Sequence, residues 1–136
     1  FGKCIAAGSL ISDDGWGRCY WAEMVSNCLS DNARFSYIDT TLLHNIKTGG
    51  TLASKYGTNK YNNRLFIYDG KNQDGRNFEN NDNHRLKQTA AGSLFLYDNS
   101  VNSCAQPNGI YVDQKKDGCS DTAEQKFTFG NEYIKF

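Results

Sequence analysis

Several features that mark common protein classes are scarce or missing in this 136-residue chain. Basic runs are missing: Lys115-Lys116 is the longest basic pair, and the formal net charge is zero. Because proteins bind a nucleic-acid backbone through a basic face that releases counterions, we expect no nucleic-acid partner. Long apolar runs are missing too. None approaches the roughly 20 residues that a membrane-spanning helix requires, so we expect no membrane span.

The chain also lacks the short motifs of common enzymes and metal sites. No two cysteines form a C-x-x-C pair, which argues against a zinc ribbon or a thioredoxin-like site. Ser9 and Ser93 follow glycines, but neither has the rest of the nucleophile elbow of hydrolases. We therefore predict that the protein is not an enzyme and has no catalytic residue, no metal site and no cofactor.

Five cysteines are present: Cys4, Cys19, Cys28, Cys104 and Cys119. Fourteen residues separate Cys4 from Cys19, and fourteen separate Cys104 from Cys119. A disulfide that closes a loop of this size stabilises a fold by roughly 3 kcal/mol. The spacing predicts a Cys104–Cys119 bond and a second bond among the other three cysteines, with Cys4–Cys19 preferred. Cys28 is then the best candidate for the odd thiol.

The first residue, Phe1, and the cysteine content together predict a secreted, extracellular protein whose signal peptide has been removed. The alternative explanation of Phe1 is a chain trimmed from a longer one.

Aromatic residues are abundant, with eight Tyr, eight Phe and two Trp, and this favours strands. Alternating segments predict strands at 18–25, 34–38, 63–68 and 93–97, and a C-terminal hairpin in which Gly130-Asn131 joins 125–129 to 132–136. Only the segment 40–47 has a helical pattern, of a turn or two. We predict a monomer with one all-β domain over 1–136: a disulfide-stapled β-barrel or β-sandwich of short antiparallel strands.

The longest polar segment, 69–83, is predicted to be an exposed loop, and loops on a rigid β scaffold commonly carry recognition. Arginine and aromatic residues often supply most of the energy at interfaces. The predicted binding residues of this loop are Arg76, Phe78, Glu79, Asn80 and Asp82. The alternative is that the phenylalanine points into the core and the other side chains are only solvated.

Sugar binding is a second hypothesis, because asparagine is very abundant, at fifteen residues, and amides suit hydrogen bonding to neutral sugars. Trp16 lies between two glycines in a predicted turn, where it is either an exposed sugar platform or a core residue. Trp21 lies inside a predicted strand, and for it we favour the core.

The two histidines, His44 and His84, suggest a third hypothesis. His84 follows Glu79 and precedes Arg85, and small secreted ribonucleases combine these residue types to move a proton and hold a phosphate. We favour the alternative that these are solvated loop residues, since closeness in sequence is not convergence on one phosphate.

One segment resembles the signature of cyanovirin-type lectins. The residues that carry the resemblance are Phe35-Ser36-Tyr37-Ile38-Asp39, Asn45-Ile46 and Gly50-Thr51-Leu52. That family has two tandem copies of the pattern, whereas this chain has one. The resemblance implies carbohydrate binding, but no sugar-binding residue is transferred from it.

The start Phe1-Gly2-Lys3-Cys4, the few cysteines and the many Asn, Gly and Tyr residues together make the chain similar to secreted fungal elicitor or effector proteins. This resemblance implies a non-catalytic interaction protein that takes part in plant defence by triggering responses of plant cells. Its partner would be a host cell-surface protein or glycan. This is our first functional interpretation; a lectin-like carbohydrate binder is the second, and a small secreted ribonuclease is the third.

Overall fold

The computed structural model of the chain describes residues 2–13, 17–37, 43–53, 64–69, 86–88, 92, 94–96, 103–116, 123–130 and 132–136. Across these ranges the chain forms twelve strands and two short 3-10 helices. The strands are β1 Cys4–Asp13, β2 Arg18–Val25, β3 Phe35–Tyr37, β4 Leu43–Asn45, β5 Thr51–Ala53, β6 Phe66–Tyr68, β7 Leu86–Gln88, β8 Leu94–Leu96, β9 Ser103–Asn108, β10 Tyr111–Lys116, β11 Thr128–Gly130 and β12 Tyr133–Lys135. The 3-10 helices are Asp31–Ala33 and Ala123–Gln125.

All strand pairs are antiparallel, and they form one sheet that curls into a half-barrel. The order along the main path is β3-β4-β5-β6-β2-β10-β9-β8-β7, while β1 and β12 extend the sheet from β2. The predicted all-β class is therefore confirmed. In the described part of the chain no helix has the length and apolarity that a membrane crossing demands.

The hairpin of β11 and β12 brings the sheet back toward β3. The Phe35 N–H donates to the Glu132 carbonyl oxygen at 2.6 Å, and the Arg34 guanidinium donates to the Glu132 carboxylate from both Nε (2.9 Å) and Nη2 (2.6 Å). These bonds tie β3, at one end of the main path, to the β11–β12 hairpin. The predicted C-terminal hairpin is confirmed, with Gly130 paired to Tyr133 next to the turn.

The main core fills the inner face of the curled sheet, and strand alternation supplies it. Its buried side chains are Ile5, Ala7, Ala22, Met24, Phe35, Leu43, Leu52, Leu65, Ile67, Ala105, Val112, Phe127, Ile134 and Phe136. Burial of each larger side chain stabilises the fold by roughly 1.5–3 kcal/mol before entropy is counted. The next residue along a strand points to the opposite face. A smaller cluster of Cys19, Ala53 and Phe66, with Ile11 and Tyr68 packed against it, lies on that outer face.

A buried asparagine holds the loop between β4 and β5. Asn45 is 0% exposed; its Nδ2 donates to the Asn32 carbonyl oxygen at 2.9 Å, and its Oδ1 accepts from the Thr48 N–H and hydroxyl, both at 3.0 Å. The prediction of a helical turn at 40–47 is wrong where the structure describes it. Leu43 contributes to the main core and β4 pairs with β3 and β5, so tertiary pairing overrides a weak local preference.

The disulfide Cys4–Cys28 corrects the predicted Cys4–Cys19 pairing, although a bond among these three cysteines is confirmed. In the β1–β2 hairpin, Cys4 is opposite Val25 at the open end, and Cys19 is opposite Ser12 near the turn. Cys19 lies six positions from Val25 along β2, which is roughly 20 Å and far beyond disulfide reach.

Cys28 follows the open end of the hairpin by three residues, which brings its Cα within 5.4 Å of the Cys4 Cα. Cys19, not Cys28, is the thiol, and it is buried. Cys104 is disulfide-bonded, as predicted, but the pairing with Cys119 cannot be compared because Cys119 lies outside the described residues.

Candidate functional site

Strand β2 divides its side chains between the two faces of the sheet. Ala22 and Met24 belong to the main core, and Tyr20 packs against that core. Trp21 and Glu23 lie between them in sequence and therefore point to the outer face. Trp21 is half-buried and belongs to neither of the clusters that the described residues form, so its predicted full burial in the core is wrong.

β2 is unusual because two different strands pair with one of its edges. β1 occupies one edge along the whole hairpin. On the other edge, Trp21 is opposite Phe66 of β6, whereas Glu23 is opposite Tyr111 of β10. The sheet therefore forks at β2, with β6 on one branch and β10 on the other.

Arg64 and Leu65 lie in this fork, immediately before β6. The Ala22 N–H donates to the Leu65 carbonyl oxygen at 3.3 Å, and the Leu65 N–H donates to the Val112 carbonyl oxygen at 2.8 Å. Arg64 forms an antiparallel bridge with Asp113 of β10. Since Leu65 points into the main core, Arg64 points to the outer face, where Trp21 and Tyr111 also lie.

The three side chains meet in a stack, which we call the Trp21 patch: Trp21, Arg64 and Tyr111. The Arg64 Cζ lies 3.8 Å from the centre of the Tyr111 ring and 5.5 Å from the centre of the Trp21 ring. The two rings are 5.7 Å apart in an edge-on arrangement with an interplanar angle of 67°. All three residues are half-buried. Cation–π contacts of this kind contribute about 0.5–2 kcal/mol, so they hold the arginine in one orientation.

The outer face beside the patch is firmly packed. Phe66, the cross-strand neighbour of Trp21, is buried with Cys19 and Ala53 in the smaller cluster. The patch is therefore built on strands whose positions are fixed on both faces of the sheet. A site on such a scaffold is presented with little loss of entropy when a ligand binds.

The carboxylates nearest in register to the patch are engaged by other groups. Glu23 Oε2 accepts from the Ser9 N–H at 2.9 Å, which turns this side chain toward β1. Asp113 Oδ2 accepts from Asn108 Nδ2 at 2.8 Å. Within the described residues, Arg64 has no ion pair with either.

No protein-family model, curated protein or solved structure matches this chain. The Trp21 patch offers aromatic surface and a fixed cation. Among the described residues, no three His, Cys, Asp or Glu side chains come together as a metal site would require.

The binding residues predicted from the sequence lie outside the described residues. They are Trp16 and the loop residues Arg76, Phe78, Glu79, Asn80 and Asp82. The first residue of that loop, Asp69, is described, and it is fixed to β2. The Arg18 N–H donates to Asp69 Oδ1, and the Asp69 N–H donates to the Arg18 carbonyl oxygen at 3.1 Å.

Arg18 also marks an exposed polar cluster at the turn end of the β1–β2 hairpin. Its Nε lies 3.6 Å from Asp13 Oδ2. A hydrogen bond with Tyr20, reinforced by the charges of Tyr20, Asp13 and Asp69, raises the pKa of the Arg18 guanidinium above its usual value. This arginine lies outside the Trp21 patch.

His44, one of the two histidines of the ribonuclease hypothesis, lies on β4. Its cross-strand neighbours are Ser36 and Thr51, which carry hydroxyls and not the carboxylate and arginine that the hypothesis needs. The His44 Nδ1 atom is buried and makes no hydrogen bond in the structure. His84, Glu79 and Arg85 lie outside the described residues, so the rest of that hypothesis stays a prediction.

Two members of the patch, Arg64 and Tyr111, were missed by the sequence analysis. A signal for Tyr111 exists. Gly109-Ile110 is the two-residue loop between Asn108 and Tyr111, and Gly109 has φ +62°, as the first central position of a type II′ turn requires. This turn fixes the alternation of β10, with Val112 inward and Tyr111 outward. For Arg64 no local signal exists, because its place depends on the fork.

Proposed function

We propose that this protein is a secreted, non-catalytic carbohydrate-binding protein and that the Trp21 patch is its sugar-binding site. The observation that supports the proposal is the stack of Trp21 and Tyr111 with Arg64 on the outer face. Ligand sites commonly combine aromatic surface with a few fixed polar groups that set orientation. Tyrosine and tryptophan suit such sites because they pair a large apolar surface with a polar atom.

A glycan array with the purified chain, followed by isothermal titration calorimetry with the best saccharide, tests the proposal. We expect Trp21→Ala and Tyr111→Ala to weaken binding at least about tenfold, which corresponds to 1.4 kcal/mol. Tyr133→Ala is the matched control, because Tyr133 is also a half-buried strand tyrosine but belongs to β12. Its affinity should equal that of the unmodified protein.

Three results would overturn the proposal. One is an unmodified protein that binds no saccharide. Another is a folded Trp21→Ala variant that binds as tightly as the unmodified protein. The third is cleavage of RNA by the purified chain, which would contradict the non-catalytic part.

Recognition by plant cells, which the resemblance to fungal elicitors implies, stays a separate prediction. Infiltration of leaves with the unmodified protein and with Trp21→Ala tests it. If the host partner is a glycan bound at the Trp21 patch, the variant triggers a weaker cell response than the unmodified protein.

A further inference from the structure

We infer that the Trp21 patch binds an acidic sugar, a uronate, and that Arg64 binds its carboxylate. The inference rests on the proposed function, because it names the ligand class of the same site. Its basis is an arginine that lies close over the Tyr111 ring, contacts the Trp21 ring beside it and has no acidic partner in the described part of the chain.

The stacking leaves the hydrogen-bonding groups of Arg64 available. A guanidinium is planar, and its five N–H groups point outward in that plane. A ring at 3.8 Å from Cζ, as Tyr111 is, lies above the plane and does not compete for these donors. The Arg64 guanidinium can therefore stack on a ring and bind a carboxylate through two N–H groups at the same time. The stacking already orders the arginine for binding the carboxylate.

The position of Arg64 also decides what a ligand meets first. Because the guanidinium covers one face of Tyr111, that face is not a platform for a neutral sugar ring. The ligand meets a guanidinium that forms no ion pair within the described residues, because the Glu23 carboxylate accepts from the Ser9 N–H and the Asp113 carboxylate accepts from Asn108 Nδ2. This arrangement favours an anionic group over a hydroxyl.

A carboxylate fits the donor geometry, because its two oxygens match two parallel N–H groups of the guanidinium. Trp21, whose ring centre is 5.5 Å from the Arg64 Cζ, is then close enough to contact the sugar ring that carries the carboxylate. An acidic sugar contacts both Arg64 and Trp21, whereas a simple carboxylic acid contacts only Arg64.

The test is calorimetric titration of the full chain with tetragalacturonate and with its fully methyl-esterified form. The two ligands share the same sugar rings and differ in the carboxylate charge. We expect the unmodified protein to bind the acid at least about tenfold more tightly than the ester. Arg64→Gln should lose this preference, so that its affinities for the acid and the ester become equal. Arg64→Lys keeps the charge without the paired donors, and its preference should be intermediate.

Arg18→Gln is the matched control, because it removes the same charge from an exposed arginine of the β1–β2 hairpin that lies outside the Trp21 patch. Its preference should be unchanged, which separates a local carboxylate contact from a general effect of net charge. Thermal unfolding of each variant confirms that the fold is intact. Added salt should weaken binding of the acid more than binding of the ester.

The outcomes separate this inference from the proposed function. Equal affinity for the acid and the ester overturns the uronate inference, and the carbohydrate-binding proposal survives if Trp21→Ala weakens both. A sulfated saccharide that binds more tightly than tetragalacturonate overturns the assignment of a carboxylate. If Arg64→Gln keeps the full preference for the acid, Arg64 is not the carboxylate-binding residue. If the unmodified protein binds no saccharide, both fail together.

Discussion

Replacing Gly8 by alanine tests whether the close contact between strand β1 and the Glu23 side chain requires a glycine at this position. The pairing of β1 and β2 shifts register between Ala7 and Leu10, and Gly8 lies in this irregular segment. A Cβ on Gly8 would overlap the Glu23 side chain at Cγ, Cδ and Oε2. Glu23 would therefore have to move and would give up its hydrogen bond from the Ser9 N–H.

The size of the effect follows from two opposing contributions. A hydrogen bond to a charged group contributes about 1.5–3 kcal/mol, and the lower end applies here because Ser9 is exposed. Alanine in place of glycine stabilises a fold by about 0.4–1 kcal/mol where the backbone is compatible, since it restricts the unfolded chain. Gly8 is not among the glycines with positive φ, so its backbone suits alanine. We expect Gly8→Ala to lower the free energy of unfolding by about 1 kcal/mol.

The sign should reverse when Glu23 is shortened. In the Glu23→Ala background the obstructing atoms are gone, so Gly8→Ala should raise the free energy of unfolding by about 0.4–1 kcal/mol. Urea unfolding followed by tryptophan fluorescence measures all four proteins of this cycle. Gly130→Ala is the control, because a Cβ there contacts nothing within 4 Å, and its effect should be the same in both backgrounds. Equal destabilisation by Gly8→Ala in both backgrounds would refute the reasoning.

Three further predictions concern stability and use the same urea assay. Burial raises the pKa of the Tyr37 phenol, so the folded state loses stability as pH rises above 10.0, and Tyr37→Phe should reduce that loss. The double variant Cys4→Ala/Cys28→Ala should lower the free energy of unfolding by about 3–4 kcal/mol, because the bond spans 24 residues; a loss under about 1 would contradict this. Asn45→Ala should lower the free energy of unfolding by about 2–4 kcal/mol, and Thr48→Val by clearly less. Only Asn45→Ala leaves both the Asn32 carbonyl and the Thr48 N–H without their Asn45 partner.

The sequence predicts those elements whose side chains alternate over a long stretch. β2 is predicted with the bounds 18–25 because Tyr20 and Met24 fall on one side of a strand-like alternation. β4 is not predictable in this way, because it is three residues long and depends on partners in β3 and β5. A short strand of this kind carries little local information, and pairing supplies the rest.

The disulfide and the Trp21 patch were not predictable for a related reason. Equal cysteine spacing says nothing about register, and it is register that places Cys4 and Cys19 at opposite ends of one hairpin. Likewise, Trp21, Arg64 and Tyr111 are far apart in sequence and meet only because β6 and β10 share one edge of β2. The alternation of β2 could identify Trp21 as a residue of the outer face, but it could not identify Arg64 and Tyr111 as its neighbours.

The fork at β2 also has a consequence for the order in which the chain folds during synthesis. The β1–β2 hairpin can form as soon as its own residues are available, but Glu23 waits for Tyr111, about 90 residues later. At typical rates of synthesis this delay is roughly 5–20 s. During this delay, the open end of β2 has an unpaired edge, and such an edge is a template for pairing with other chains. The same edge that later supports the Trp21 patch is thus exposed to aggregation until β10 has been made.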